Sequence, residues 1–181
     1  MGRKEITAGL SALVERHVSK PGGLWAAEVS IEPLGRCRPD YIEVTASGGK
    51  FATVAGIERA CVSAYEIKSS MADYKSGNGL NAVGDENWIV CPYEVMMSIN
   101  RAAVEGKIER SPLWGFAYPY PAEHGAKGPD IDRLPRYEGQ VEGWKLHFIA
   151  ASRFGGSPRQ FPLSAILWSM MYAGARQGWR C

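Results

Sequence analysis

Residues 61–73, Cys-Val-Ser-Ala-Tyr-Glu-Ile-Lys-Ser-Ser-Met-Ala-Asp, decide the fold. The run from Cys61 to Ile67 is rich in β-forming residues and follows charges at Glu58 and Arg59, which predicts a strand. Ser70-x-x-Asp73 has the spacing of a capping box, so a short helix should open there and end at Gly77-Asn78-Gly79. On a strand, side chains two residues apart lie on one face roughly 7 Å apart, so Glu66 and Lys68 point one way and Tyr65 and Ile67 the other. Charges in line with an apolar run cost free energy unless each is paired or holds a cation. That departure from the local pattern makes Glu66 and Lys68 the first candidates for chemistry.

Upstream, Tyr41 to Thr45 is another β-rich run, introduced by Arg38-Pro39-Asp40 and ended by Ser47-Gly48-Gly49. The 26 residues separating Asp40 from Glu66 call for an insertion or long hairpin at 46–60. Trp25 to Ile31 alternates apolar with polar or small residues, as a half-buried strand does, and Pro33-Leu34-Gly35 marks a turn. Before it, Leu10, Leu13, Val14 and Val18 fall at helical spacing, predicting an amphipathic helix over 7–19 with Thr7 available as its cap.

Downstream, Trp88 to Cys91 is a fully apolar run and reads as a strand buried on both faces. Pro92 suits the first position of a helix reaching about Gly106, and Leu113 to Tyr118 suits a further strand. Seven Pro or Gly between 119 and 140 predict a long irregular connection, fit for a substrate loop. Trp144 to Ala150 adds a strand, and Pro162 to Arg176 a final helix whose Leu163, Ile166, Leu167, Met170 and Met171 should face the core. Strands interleaved with helices define an α/β chain, a mixed sheet flanked by helices within one domain spanning 1–181.

At 181 residues, 45% of them hydrophobic, the chain can bury one substantial core. The best membrane candidate, Phe161 to Ala173, is too short and is interrupted by Pro162, Ser164 and Ser169. No apolar run follows the basic start, so a cytoplasmic protein with no membrane partner is expected. The four cysteines, at 37, 61, 91 and 181, form no C-x-x-C pair and suit reduced thiols better than zinc ligands. The net charge of +2 is unevenly spread: residues 1–132 hold 14 Lys+Arg against 17 Asp+Glu, and residues 133–181 hold 7 against 2. A basic C-terminal quarter could follow a phosphate backbone.

Two carboxylates on neighbouring strands can hold Mg²⁺ while leaving positions for water and a phosphate oxygen, and a lysine beside them can stabilise charge on phosphorus. Arg38-Pro39-Asp40 followed by Glu66-Ile67-Lys68 resembles the signature of the PD-(D/E)XK nucleases, which have the restriction-endonuclease-like fold. Residues 66–75, with Trp-Ile-Val-Cys-Pro at 88–92, further resemble the MmcB-like DNA repair proteins of that superfamily, and the likeness covers roughly residues 5–118. It implies a Mg²⁺- or Mn²⁺-dependent nuclease acting on DNA; an RNA-directed nuclease is the weaker alternative, since nothing in the sequence reads the sugar 2′-hydroxyl. By the same resemblance Asp40, Glu66 and the Ile67 carbonyl are metal ligands, Lys68 is the catalytic lysine, and Glu15 is the accessory acid of the first helix.

A plainer reading makes Glu66 and Lys68 an ion pair at a sheet edge; Asp40 upstream tips the balance toward a site. Asp73 fits a helix cap better than a ligand. Arg38, Lys75, Asn78 and Asn81 are candidates for phosphate contact, although turn formation and solvation account for the last three equally well. His17, His124 and His147 match no metal motif, and Trp25, Trp88, Trp114, Trp144 and Trp168 read as core, leaving Trp179 as the best stacking candidate. Homo-oligomerisation is open. The alternative to an enzyme is a non-catalytic nucleic-acid- or protein-binding chain that retains the nuclease fold.

Overall fold

The structure, a computed structural model, describes residues 2–31, 37–46, 53–109, 113–123, 134–149 and 159–176. Six strands form one sheet in chain order: β1 (Gly23–Ala27), β2 (Tyr41–Thr45), β3 (Cys61–Ile67), β4 (Glu86–Val90), β5 (Gly115–Pro121) and β6 (Trp144–Ile149). The pairings β1–β2, β2–β3 and β5–β6 are antiparallel, while β3–β4 and β4–β5 are parallel. The expected mixed α/β sheet flanked by helices is the observed one.

The helices are α1 (Arg3–Val18), α2 (Val54–Glu58), α3 (Met71–Lys75), α4 (Tyr93–Val104) and α5 (Leu163–Arg176). Helix α1 lays Leu10, Leu13, Val14 and Val18 against Tyr41, Tyr65, Ile67 and Val90 on one sheet face. Each such fully buried aliphatic side chain contributes about 1.5–3 kcal/mol. On the opposite face α5 packs Ile166, Met170 and Ala173 over Ile42, Val44, Val62 and Ala64. Beside it, α4 covers Ile89 and Phe116 with Met96 and Ile99. Parallel strands need crossovers, and α3 and α4 supply them.

Several boundaries differ from expectation for identifiable reasons. Helix α1 starts at Arg3, where the Gly2 amide donates to Glu5 Oε2 at 3.0 Å; Thr7 is interior, its hydroxyl donating back to the Arg3 carbonyl. Strand β1 stops at Ala27 instead of reaching Ile31, because Glu28 takes φ +51°, which breaks the pleat. Pro92 is the N-cap of α4, not its first helical residue. Strand β5 runs on through Pro119 and Pro121, both assigned from sequence to the irregular connection. Its pairing with β4 ends at Ala117, so beyond that point β5 has a ladder partner only in β6, a setting that tolerates proline. Of that connection, residues 124–133 lie outside the described residues, as do the Pro33-Leu34-Gly35 turn and Trp179. Tyr137, within the same stretch, is core. Helix α2 was not foreseen; Thr53 caps it by accepting from the Gly56 amide.

The segment around Tyr137 crosses α1 at Gly9, where a Cβ would stand 2.2 Å from the Gly139 carbonyl oxygen and 2.5 Å from the Tyr137 hydroxyl. Gly9→Ala should therefore destabilise the protein by about 1–3 kcal/mol despite alanine's better helix propensity, read as a lower urea midpoint with an unchanged m-value. An unchanged midpoint would show that this crossing does not hold the fold.

Candidate functional site

Strand β3 is the third of six, so Glu66 sits inside the sheet and not at an edge, and Lys68 follows directly after the strand's last residue. Tyr41 pairs with Tyr65, and continuing that antiparallel register by one residue sets Asp40 opposite Glu66. The site thus lies at the C-terminal end of β3, where one neighbour runs antiparallel and the other parallel. Beside that strand end lies an open crevice. Here the crevice is a cleft of about 740 Å³ lined by Thr7, Ser11, Arg38, Asp40, Tyr41, Glu66, Ile67, Lys68, Asp73, Asn78 and Gly79, among others.

Glu66 is 5% and Lys68 2% exposed. Lys68 Nζ donates to Glu66 Oε1 at 2.8 Å and to the Asn78 carbonyl. The ion pair considered from sequence exists, then, but buried at the floor of a cleft. Glu66 Oε2 is sealed from solvent with no donor in hydrogen-bonding geometry. Asp40 Oδ2 accepts from the Ile67 amide at 2.7 Å, which ties β2 to the end of β3. Burial pushes the Glu66 carboxyl up to about 7, and the charge of Asp40 adds to the rise against the pull of Lys68. Burial also raises the Asp40 carboxyl, with the Ile67 amide and then Lys68 opposing. Two desolvated carboxylates with one ammonium, bonded to Glu66, leave the floor short of positive charge.

That deficit, and the unsatisfied Oε2, fit a hard divalent cation. Among the described residues no group of three or more His, Cys, Asp and Glu is arranged to hold a metal ion. The side-chain donors at this point are the two carboxylates.

The other sequence candidates divide. Arg38 lines the cleft, ion-paired with Glu28 at 3.1 Å, and Asn78 lines it too. Lys75 is exposed on α3 and does not line it; its position on the helix turns it outward from Tyr74, which is buried. Asn81 lines a separate pocket with Leu80 and Trp114. Glu15 is exposed on α1 and accepts from the Tyr41 hydroxyl at 2.8 Å, so it reaches the cleft only through that tyrosine. Half of the expected capping box forms: Ser70 is the N-cap and its Oγ accepts from the Asp73 amide, whereas Asp73 Oδ2 accepts from the Ser69 amide and hydroxyl and not from the Ser70 amide. Asp73 also ion-pairs with Arg3 at 2.8 Å, tying α3 to α1 across the cleft. Gly79, Thr7, Ser11 and Tyr41 were not anticipated at the site. The Gly77-Asn78-Gly79 turn was the available signal for the first of these.

Cys37, Cys61 and Cys91 are free thiols, and burial pushes Cys61 up to about 11 and Cys91 higher still, as inert cysteines require. Among the described residues no helix is long and apolar enough to cross a membrane. Compared with protein-family models, curated proteins and solved structures, the chain matches none.

Proposed function

We propose that this chain is a divalent-metal-dependent phosphodiesterase acting on DNA, a nuclease of the PD-(D/E)XK type. The observation that carries the reading is a buried Glu66–Lys68 pair beside Asp40 at the floor of an open cleft, with one Glu66 oxygen unsatisfied. Asp40, Glu66 Oε2 and the Ile67 carbonyl would hold Mg²⁺ or Mn²⁺. The bound metal would acidify the attacking water and offset charge on the phosphoryl group. Lys68 spends two of its three N–H donors on Glu66 and Asn78, leaving the third for a phosphate oxygen. Arg38 and Asn78 line the cleft wall and would meet the neighbouring phosphates.

The test is cleavage of single- and double-stranded DNA and RNA by the purified chain with Mg²⁺ or Mn²⁺, expected to stop with chelator. Asp40→Asn should weaken Mn²⁺ binding by at least the roughly 10–100-fold that loss of a supporting group costs. Equal Mn²⁺ binding by parent and variant, or no cleavage of any substrate, would overturn the reading. Salt-sensitive binding that survives both chelator and Glu66→Ala would assign a non-catalytic binding role instead.

A further inference from the structure

Not every apolar run ends in the core. Trp168 and Met171, expected there, are 65% and 62% exposed on α5, since a helix on a sheet buries only one stripe of its surface. Trp88, at the head of a run expected to be buried on both faces, is half-buried and forms one wall of a cavity of about 480 Å³. Phe148 of β6 and His17, in the last turn of α1, form further walls. The Phe148 ring stands edge-on to Trp88 with centroids 5.0 Å apart, and is tilted against His17 at 4.7 Å. The cavity shares no lining residue with the cleft.

Its floor is acidic. By register Ser63 of β3 stands between Glu43 of β2 and Glu86 of β4, a row across three strands, and Tyr65 lies on the same face two residues on. A hydroxyl of β3 fixes each carboxylate: Tyr65 donates to Glu43 Oε2 at 2.7 Å, and Ser63 donates to Glu86 Oε2 at 3.2 Å. Both donors are buried. Among the described residues neither Oε1 accepts a hydrogen bond, and no Lys or Arg is ion-paired with either glutamate. Burial raises the Glu43 carboxyl and Glu86 adds to the rise, against the Tyr65 hydroxyl and Lys20. His17 does not balance the charge, because burial and then Lys20 lower its pKa.

Two oriented carboxylates with free oxygens call for a cation that carries N–H donors, and ring faces beside them attract the same charge. A bare metal ion matches less well. Among the described residues no group of three or more His, Cys, Asp and Glu is arranged to hold one, and aromatic walls give it no oxygen ligands. The volume falls within the range of small-molecule sites, about 300–1,000 Å³.

We propose that this cavity is a second site, which binds a small organic ammonium ion through Glu43 and Glu86 with the apolar body of the ligand against Trp88 and Phe148. The site does not depend on the nuclease reading. It is tested by isothermal titration calorimetry of the full chain with 2-phenylethylammonium, and with 2-phenylethanol as the same body without the charge. The amine should bind with a Kd of about 1 mM or tighter, and the alcohol about ten-fold more weakly or worse. Glu43→Gln and Glu86→Gln, which keep size and a hydrogen-bond acceptor, should each weaken amine binding about ten-fold, and Trp88→Leu about three-fold or more. Asp40→Asn should bind the amine as the parent does, which separates this cavity from the acidic cleft. Urea midpoints show whether each variant is folded, and the comparison of amine with alcohol needs the parent alone. The proposal is overturned if the parent fails to bind the amine at ten times that concentration, or binds amine and alcohol equally. It is equally overturned if the folded glutamine variants bind as tightly as the parent, if Asp40→Asn abolishes binding, or if Mg²⁺ displaces the amine at constant ionic strength.

Discussion

Lys68→Met is expected to lower the proposed hydrolysis by about 10²–10³-fold and to destabilise the metal-free protein, by about 3–5 kcal/mol in alkali, a loss that shrinks as pH falls to about 7. The stability part follows from what the ammonium leaves behind. Glu66 is buried, its Oε2 already lacks a donor, and removing Nζ strips Oε1 of its bond as well. The Asn78 carbonyl also loses a donor, which adds about 1 kcal/mol. Isolating a buried charge in this way costs more than an exposed ion pair would contribute.

The pH dependence has a definite sign. Burial and Asp40 already push the Glu66 carboxyl up to about 7 from its ordinary 4.5, and without Lys68 it rises further. Below pH 4.5 or so, folded and unfolded chains are both protonated here, and no ionisation cost is felt. As pH rises from 4.5, the unfolded chain releases its proton first in parent and variant alike; the parent's folded carboxyl follows near 7 while the variant's does not, so the two diverge above about pH 7. The variant's deficit is therefore largest in alkali and smallest in acid. Urea unfolding at a series of pH values measures it. A deficit that does not change with pH would show that Glu66 is not the group left unpaired, and hydrolysis at the parent's rate would remove Lys68 from the chemistry.

How far the site was legible follows from what strand geometry encodes. Period-2 alternation is local, so the shared face of Glu66 and Lys68, and its conflict with an apolar strand, can be read from residues 61–68 alone. Asp40 could be nominated but not placed, because its partner is 26 residues away and only the Tyr41–Tyr65 register brings them together. That Lys75 and Asn81 do not line the cleft could not be read for a related reason: turn and helix signals give a conformation but not the direction the element faces. Trp168 and Met171 were misassigned because helical periodicity finds an apolar arc without saying how much of it a sheet will cover. Gly79 was invisible for a different reason, since a glycine signals a turn whether or not a side chain packs on it.

Gly79→Ala isolates that packing. Gly77 and Gly79 flank Asn78 with φ of +70° and +76°, so alanine at either meets the same left-handed penalty, about 1–2 kcal/mol. They differ in surroundings. A Cβ at 77 meets nothing within 4 Å, while one at 79 would stand 1.8 Å from Glu66 Oε1 and 2.2 Å from Cδ. An exposed carboxylate would swing aside, but this one is buried and held by Lys68, so relief means breaking the ion pair or lifting the turn that accepts from Lys68. Gly79→Ala should therefore cost about 2–3 kcal/mol more than Gly77→Ala in urea unfolding, and should weaken Mn²⁺ binding where Gly77→Ala does not. Truncating the carboxylate first closes the cycle: in a Glu66→Ala background the clash is gone, and the two glycine substitutions should cost the same. Equal costs in the parent background would mean that the turn does not rest on Glu66, and that the cleft floor is open where the structure has it sealed.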